Sequence, residues 1–463
     1  MKEKFMKPSL PQGTRDFGSE TLHRRRFIIE TIKEVFELYG FEPLETPAIE
    51  NLDTLLGKYG DEGDKLIFKI LNNGLDNPSK KEKTIAAFQN ILDGKNDKNI
   101  TERALKYDLT IPFARYMAMN YGKLTIPYKR YQIQPVWRAD RPQKGRYREF
   151  LQCDADIAGT YSLISDAELA EIYSDVFSKL KIEADIKINS RKLLYALAEV
   201  CGNIENINAI TIAIDKLEKI GIDKVKDELL TIGLSDSQIL LIEKYISIEG
   251  TNEEKLDKIS TLVNSSEAGK KGIEELKFIL GYLKTSDKSN SKQTYIIDFT
   301  LARGLNYYTG TIYEVKAKNV EMGSIGGGGR YDNLTGLFGV PDIPGVGISF
   351  GLDRIYDVMD ELNLFPEDIN QSTHVLFFNL GEKESKYSFN LMQQLRRHGI
   401  SCELFYENSK LDKQFKYAAK KNIAYAVIIG SNEIEQQTSV IKNLVSGEQQ
   451  NVPVSQIIQF FKK

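Results

Sequence analysis

Cysteine and histidine are scarce in this chain of 463 residues. Only Cys153, Cys201 and Cys402 occur, far apart, which leaves no disulfide framework and no cysteine-built zinc site and fits a reducing compartment. The histidines, His23, His374 and His398, are equally scattered, so a histidine metal centre or a Ser-His-Asp triad is not expected. No run of 18 apolar residues occurs, and the first eight residues, Met1 to Pro8, lack an apolar core. Neither a membrane span nor a signal peptide is expected. Net charge is only −3, so any nucleic-acid contact has to be a local basic patch. What remains, 41% hydrophobic and 27% charged residues, is an ordinary globular composition, with length for about three domains.

The densest chemistry lies between Tyr131 and Ile157, which reads as two strands joined by a basic loop. In the second strand Leu151, Cys153, Ala155 and Ile157 are apolar, whereas Arg148, Phe150, Gln152, Asp154 and Asp156 are mostly polar. One face then packs on a core and the other lines something wet. The first strand places Gln132, Gln134 and Arg138 on one parity. The loop Pro142-Gln143-Lys144-Gly145 has the turn residues and charge of a flap over a polyanion. A solvated hairpin of salt bridges is the alternative. Against it stand five arginines and a lysine between Arg130 and Arg148, with three carboxylates close behind.

Elsewhere the pattern alternates between helix and strand. A helix is predicted from Ser19 as N-cap, with Glu20 in its first turn and Ile28, Ile32, Val35 and Phe36 on its apolar face, ending at Gly40. The segment Phe41 to Pro47 is extended, and its prolines keep it out of a sheet centre; this pair is either core packing or an oligomer edge. Residues 72–100 read as a surface insertion. Pro112 suits the first turn of a helix, with Thr110 near its cap. Asp108 and Thr110 are then turn residues, or both point into a pocket. Ser165 to Leu180 is helical, 186–188 a short strand, and 191–290 a helical stretch of alternating Lys and Glu, with a linker at Ser289 to Lys292.

Strand character returns at Tyr295, with Arg303 at a strand end before a glycine. The cluster Gly326 to Gly329 is a flexible loop or a backbone that something approaches closely; no P-loop follows. Gly345 to Gly351 reads as a strand running into a helix whose apolar face is Leu352, Ile355, Val358, Met359 and Leu362. Arg354 sits in that helix's first turn, against the dipole, which points to an anionic ligand or a neighbouring carboxylate. From about 371 strands alternate with helices, as in a small parallel or mixed α/β domain.

Arg138, Arg303 and Arg354, the carboxylates Asp108, Asp140 and Asp156, Gln152 and paired tyrosines come without a nucleophile–base pair. Such a set binds a nucleoside triphosphate and a small cationic or polar co-substrate, and works by positioning and electrostatics.

Nearly the whole chain resembles the histidyl-tRNA synthetases of class II. The helix running to Pro47 looks like motif 1, the Arg138 hairpin like motif 2 and Gly345 to Arg354 like motif 3, which mark the class. Arg303-Gly304-Leu305-Asn306-Tyr307-Tyr308 and Gly328-Gly329-Arg330-Tyr331-Asp332 are similar to the two signature peptides of the histidine enzymes. The resemblance implies an α+β catalytic core, a class II antiparallel sheet with flanking helices, over 1–190 and 291–365. It further implies a helical insertion domain over 191–290 and an α/β anticodon-binding domain over 371–463.

The roles it implies are these. Arg138 holds the α-phosphate and the substrate carboxylate, and Arg354 the γ-phosphate. Phe150 stacks on adenine, with Asp140 near its amino group. Asp108, Thr110 and Gln152 bind the α-ammonium of histidine. Asp156 and Tyr308 contact its imidazole, Tyr307 belongs to the same set, and Tyr331 closes the pocket. Arg303 stands at the reacting α-phosphate, where other class II enzymes place a metal ion. Arg141, Gln143 and Lys144 face the acceptor end of tRNA.

Mg2+ arrives with ATP; no other metal and no organic cofactor is implied. The partners are ATP, L-histidine, tRNA(His) and, through motif 1, a second copy, in the cytoplasm and away from membranes. Lys410, Lys413, Lys416, Lys420 and Lys421 either meet RNA phosphates or form a solvated face. The chain departs from a common form of the family by carrying aspartate rather than glutamate at 140 and 156, and Asp108-Leu109-Thr110 is one of two family variants. The competing reading is an inactive regulatory subunit that binds histidine. Such a chain is expected to lose the ATP-clamping arginines or the C-terminal domain, and this one keeps both.

Overall fold

The alternating pattern of 128–158 forms the two longest strands of a sheet that carries the polar cluster. The computed structural model describes residues 7–57, 60–285, 292–302, 307–366, 369 and 373–462. They divide into two units, Met1–Phe17 with Arg25–Phe365, and Gly18–Arg24 with Pro366–Lys463. Arg303 and, of the linker called at Ser289 to Lys292, all but Lys292 lie outside the described residues.

In chain order the strands of the first unit are β1 (Glu42–Pro43), β2 (Ile49–Asn51), β3 (Lys69–Ile70), β4 (Arg103–Leu105), β5 (Tyr128–Trp137), β6 (Glu149–Ala158), β7 (Ala184–Ser190), β8 (Thr294–Ile297), β9 (Thr311–Ala317), β10 (Gly326–Tyr331) and β11 (Gly345–Gly351). Eight form one sheet in the order β1-β5-β6-β11-β10-β9-β7-β8, and β2-β4-β3 form a small second one. In the large sheet every neighbouring pair is antiparallel except the outermost, β1 with β5 and β7 with β8. Parallel neighbours need a crossover. Between β7 and β8 it is the helical stretch, from Arg191–Val200 to Glu267–Thr285. Its Leu193, Leu197, Ile242 and Ile279 share one hydrophobic cluster with Ala155, Ile186 and Val346 of the sheet.

The predicted helices are present. Ser19–Leu38 buries Ile28, Ile32, Val35 and Phe36, and Gly40 leaves it at φ +76°. Its first bond runs from the Leu22 N–H to the Gly18 carbonyl, so Gly18 rather than Ser19 is the cap. Leu352–Glu361 buries Leu352, Ile355, Val358 and Met359. The surface insertion contains a helix, Lys81–Leu92, on which Ile85, Phe88 and Leu92 are exposed.

The glycine cluster is a central strand. β10 is paired on both sides, and a Cβ at Gly328 would lie 2.2 Å from the Gly347 carbonyl oxygen. What approaches Gly327, Gly328 and Gly329 most closely is neighbouring backbone, while Gly326 faces the Tyr173 ring. A second expectation is corrected: the polar face of the hairpin is not wet at its far end, because Asp154 and Asp156 are 3% and 2% exposed and Arg130 and Gln132 are fully buried.

The second unit holds β12 (Val375–Phe377), β13 (Cys402–Leu404), β14 (Tyr425–Ile428), β15 (Thr438–Asn443) and β16 (Gln449–Pro453) in the order β13-β12-β14-β15-β16. The first three are parallel and the last two antiparallel, with helices Glu382–Arg397 and Leu411–Lys420 between strands. Among the described residues no helix is long and apolar enough to cross a membrane.

A Gly328→Ala substitution drives its methyl into β11. Overpacking of this kind costs about 1–3 kcal/mol even among mobile side chains, and here the obstacle is backbone. A clear fall in the thermal midpoint is expected; an unchanged melt would mean that the strands can move apart.

Candidate active site

Register brings the polar residues together. Across β5 and β6, Arg130 lies opposite Asp156, Gln132 opposite Asp154 and Gln134 opposite Gln152. On the other side of β6, β11 sets Gly347 opposite Asp156, Ser349 opposite Asp154 and Gly351 opposite Gln152. A Cβ at Gly347 would lie 2.0 Å from Asp156 Oδ1, and one at Gly345 would lie 2.3 Å from the Tyr331 ring. The motif 3 glycines therefore make room for the motif 2 carboxylate and the signature tyrosine.

Asp156 is held at both oxygens. Tyr331 donates its hydroxyl to Oδ1 at 2.7 Å, and Arg130 Nη2 is 2.7 Å from Oδ2. Burial pushes its pKa up, while Arg130 and the Tyr331 bond pull it down. Asp154 is pushed up to about 7 by burial, with Arg130 opposing and Asp156 adding to the rise. Burial also raises the Tyr308 and Tyr331 phenols, which stay protonated and able to donate.

Two cavities adjoin along this face. The smaller, about 60 Å³, is lined by Asp108, Thr110, Arg138, Gln152, Asp154, Asp156, Tyr307, Tyr308 and Tyr331, among others. The larger, about 190 Å³, is lined by Arg138, Asp140, Phe150, Gln152, Asp353 and Arg354, with Arg146, Tyr147 and small residues. Arg138, Gln152 and Ser349 line both. Tyr307 packs edge-on against Tyr308 and Tyr331 at 4.9 and 6.2 Å between centroids.

Arg138 donates Nε to the Tyr107 carbonyl at 3.0 Å, and its guanidinium carbon sits 4.3 Å from the Tyr107 ring and 5.2 Å from the Phe150 ring. Aromatic faces and one carbonyl hold it without neutralising it. Arg354 donates to the Gly145 carbonyl at 3.1 Å and the Ser324 carbonyl at 2.7 Å. The carboxylate beside it, Asp353, is paired with Arg15 at 2.6 Å and with Arg25. Arg15 also lies 3.2 Å from the centroid of the Tyr147 ring. An N-terminal arm thus braces both the motif 2 loop and the start of the motif 3 helix.

Thr110 is not a cap: its helix, Thr110–Asn120, has Leu109 at that position, and Asp108 Oδ1 accepts the Ile111 N–H at 3.2 Å. Both residues line the smaller cavity. Asp140 is 3.6 Å from Arg146, which ties the loop back on itself. Arg141, Gln143 and Lys144 are exposed and line neither cavity; Lys144 is 3.3 Å from Glu361. Sequence reasoning gave no role to Asp154, Arg130, Ser349, Tyr107 or Asp353. Asp154 shares the parity of Asp156 and could have been found; Arg130 needed the register. Among the described residues no cluster of three His, Cys, Asp or Glu is placed to hold a metal.

Two family models match this chain, histidyl-tRNA synthetase over residues 79–355 and anticodon binding domain over 374–463. The first spans more than half of it. The chain belongs to the histidyl-tRNA synthetase family. A histidine–tRNA ligase of Bacteroides fragilis is 49% identical over 460 residues, covering 98% of each chain. The solved histidyl-tRNA synthetase of Nostoc sp. PCC 7120 superposes with TM-score 0.81 at 32% identity over 99% of both. A Bacillus halodurans structure titled as an ATP phosphoribosyltransferase regulatory subunit/histidyl-tRNA synthetase has TM-score 0.71 at 18% identity, covering 92% of this chain and all of that one. This last likeness shows the fold alone.

Removing one partner of a buried ion pair costs about 3–5 kcal/mol, because the other charge is stranded. Arg130→Met is expected to lower stability by that order in denaturant titration and to weaken histidine binding with it. Arg130 is fully buried, so unchanged stability would mean that Asp156 takes up a proton at little cost.

Proposed function

We propose that this chain attaches histidine to tRNA through a histidyl-adenylate. The observation that carries this reading is the shared wall: Arg138 and Gln152 line a larger and a smaller cavity at once. A nucleotide in one and an amino acid in the other would meet at a guanidinium. In the first step a carboxylate oxygen of histidine attacks the α-phosphorus of Mg-ATP and pyrophosphate leaves. In the second, a terminal ribose hydroxyl of tRNA attacks the acyl carbon, and AMP leaves. Neither step needs a protein nucleophile. Holding both reactants in line supplies roughly 7–11 kcal/mol in favourable cases.

The roles follow from position and resemblance together. Arg138 meets the α-phosphate and the amino-acid carboxylate, Arg354 the γ-phosphate and Phe150 the adenine, with Asp140 beside it. Asp108, Thr110 and Gln152 take the α-ammonium, and Asp156, Tyr307, Tyr308 and Tyr331 surround the ring. Asp156 already holds Tyr331 and Arg130 but keeps lone pairs for a ring N–H. Arg303 acts at the reacting phosphate by resemblance alone. Mg2+ comes as the ATP complex, since Asp353 is taken by two arginines and the ion is ordinarily held through phosphates.

Arg141, Gln143 and Lys144 face the acceptor end, and their exposure suits that task. The second unit docks the anticodon. There Lys413 and Lys421 pair with Glu407 and Glu403, and Lys410, Lys416 and Lys420 are exposed. We assign the enzyme to the cytoplasm and to a homodimer built on motif 1, where Leu38 is 70% exposed. Residues 1–190 and 291–365 form the catalytic body, 191–290 an insertion and 371–463 the anticodon domain.

The test is exchange of labelled pyrophosphate into ATP, without tRNA, against all twenty amino acids. Exchange with histidine alone is expected, falling at least a hundredfold in Arg138→Ala and Arg303→Ala, the order seen when a charge-stabilising donor is removed. Histidine binding without exchange would mean the regulatory reading. Exchange with another amino acid would displace the pocket assignment.

A further inference from the structure

Asp154 has no part in these roles. It is 3% exposed, stands between Gln152 and Asp156 on one face of β6 and lines the smaller cavity. Its Oδ1 is buried and accepts no hydrogen bond among the described residues. A buried carboxylate oxygen without a donor is costly and rare in native proteins. Such an atom beside a cavity has a donor that arrives with the ligand.

Charge identifies the donor. The groups facing Asp154 are Arg130 from β5, Asp156 from its own strand, Ser349 from β11, Lys106 and Asp108 from the segment after β4, and the tyrosines Tyr173 and Tyr308. Arg130 gives Nη2 to Asp156 and the Leu109 carbonyl, and its Nε and Nη1 make no hydrogen bond to Asp154 Oδ1. Lys106 donates to Gln134 Oε1 at 2.6 Å and to the Thr46 carbonyl at 3.1 Å. The cavity itself is lined by three carboxylates and, among the described residues, one cation, Arg138. An imidazole of ordinary pKa, about 6.5, is mostly neutral at pH 7.5. The lasting positive charge of histidine is its α-ammonium. With the carboxylate at Arg138 and the ring toward Asp156 and Tyr331, the amino-bearing carbon lies along β6 over Asp154.

We infer that Asp154 is a further substrate-binding residue, a second buried counter-charge beside Asp108 for the substrate's α-ammonium; this rests on the histidine-binding reading of the cavity. The ligand cation binds the carboxylate form only, so protonation competes with it. Because burial holds the empty site's Asp154 up to about 7, binding releases a proton near neutrality and affinity falls as the pH drops below that value. A merely structural Asp154 has no such release.

The experiment is calorimetry on the full chain with two halves of the substrate. L-Histidinol keeps ring and ammonium but lacks the carboxylate, and imidazolepropionate keeps ring and carboxylate but lacks the amine. In Asp154→Asn, histidinol is expected to bind on the order of ten- to a hundredfold more weakly, the range for a hydrogen bond to a charged group, and imidazolepropionate as before. Proton release on histidinol binding, read in two buffers of different ionisation heat, should vanish. ATP binding on the same sample reports the fold; should it be lost, Asp154→Ser replaces the variant. Equal weakening of both ligands would assign Asp154 to the ring, and unchanged binding of both would make it structural; either overturns the inference. A wild-type chain that binds neither overturns the histidine-site reading instead.

Discussion

A buried carboxylate gripped from two directions sets the rest of this structure. Asp156 can sit between Arg130 and the Tyr331 hydroxyl only if β6 lies between β5 and β11 in one register. A slip of one residue would turn every polar side chain of β6 into the core. The ion pair contributes little net stability after desolvation. Its value lies in the cost of any other arrangement, which strands a charge in a dry interior.

Glycine answers the same constraint. Gly345 and Gly347 leave space for the Tyr331 ring and for Asp156, and Gly328 lets β10 and β11 close together. The sheet is thinned where it carries the site, and the Tyr331 ring, Asp156 and neighbouring backbone take up the space. At the larger cavity the logic is reversed. Arg15 and Arg25 converge on Asp353, so the helix that presents Arg354 starts from a fixed, neutralised point. Arg138, stacked between Tyr107 and Phe150, keeps its charge for the place where the cavities meet.

The long helical stretch between β7 and β8 meets a topological need as well. Two parallel edge strands must be joined by a crossover, and this one packs its apolar faces into the sheet's own hydrophobic cluster. Whatever else it does, it is part of how that edge of the sheet is built.

Much of the fold was legible from periodicity. The hairpin, the helices at Ile164–Lys179 and Leu352–Glu361 and the alternating C-terminal unit follow from apolar spacing, because one-sided burial imposes a period of 2 or 3.6 residues. The family resemblance went further and named eleven residues that line the smaller cavity or its larger neighbour. The sequence by itself thus determined the elements, the family and most of the polar lining. Only the tertiary structure decided that the polar face of β6 is buried, that the glycine run is a central strand, that Arg130 balances Asp156, and that Asp154 is left with an open oxygen. These facts depend on which strand lies beside which, and cross-strand neighbours are hundreds of residues apart in the chain or hidden in a register that periodicity does not specify.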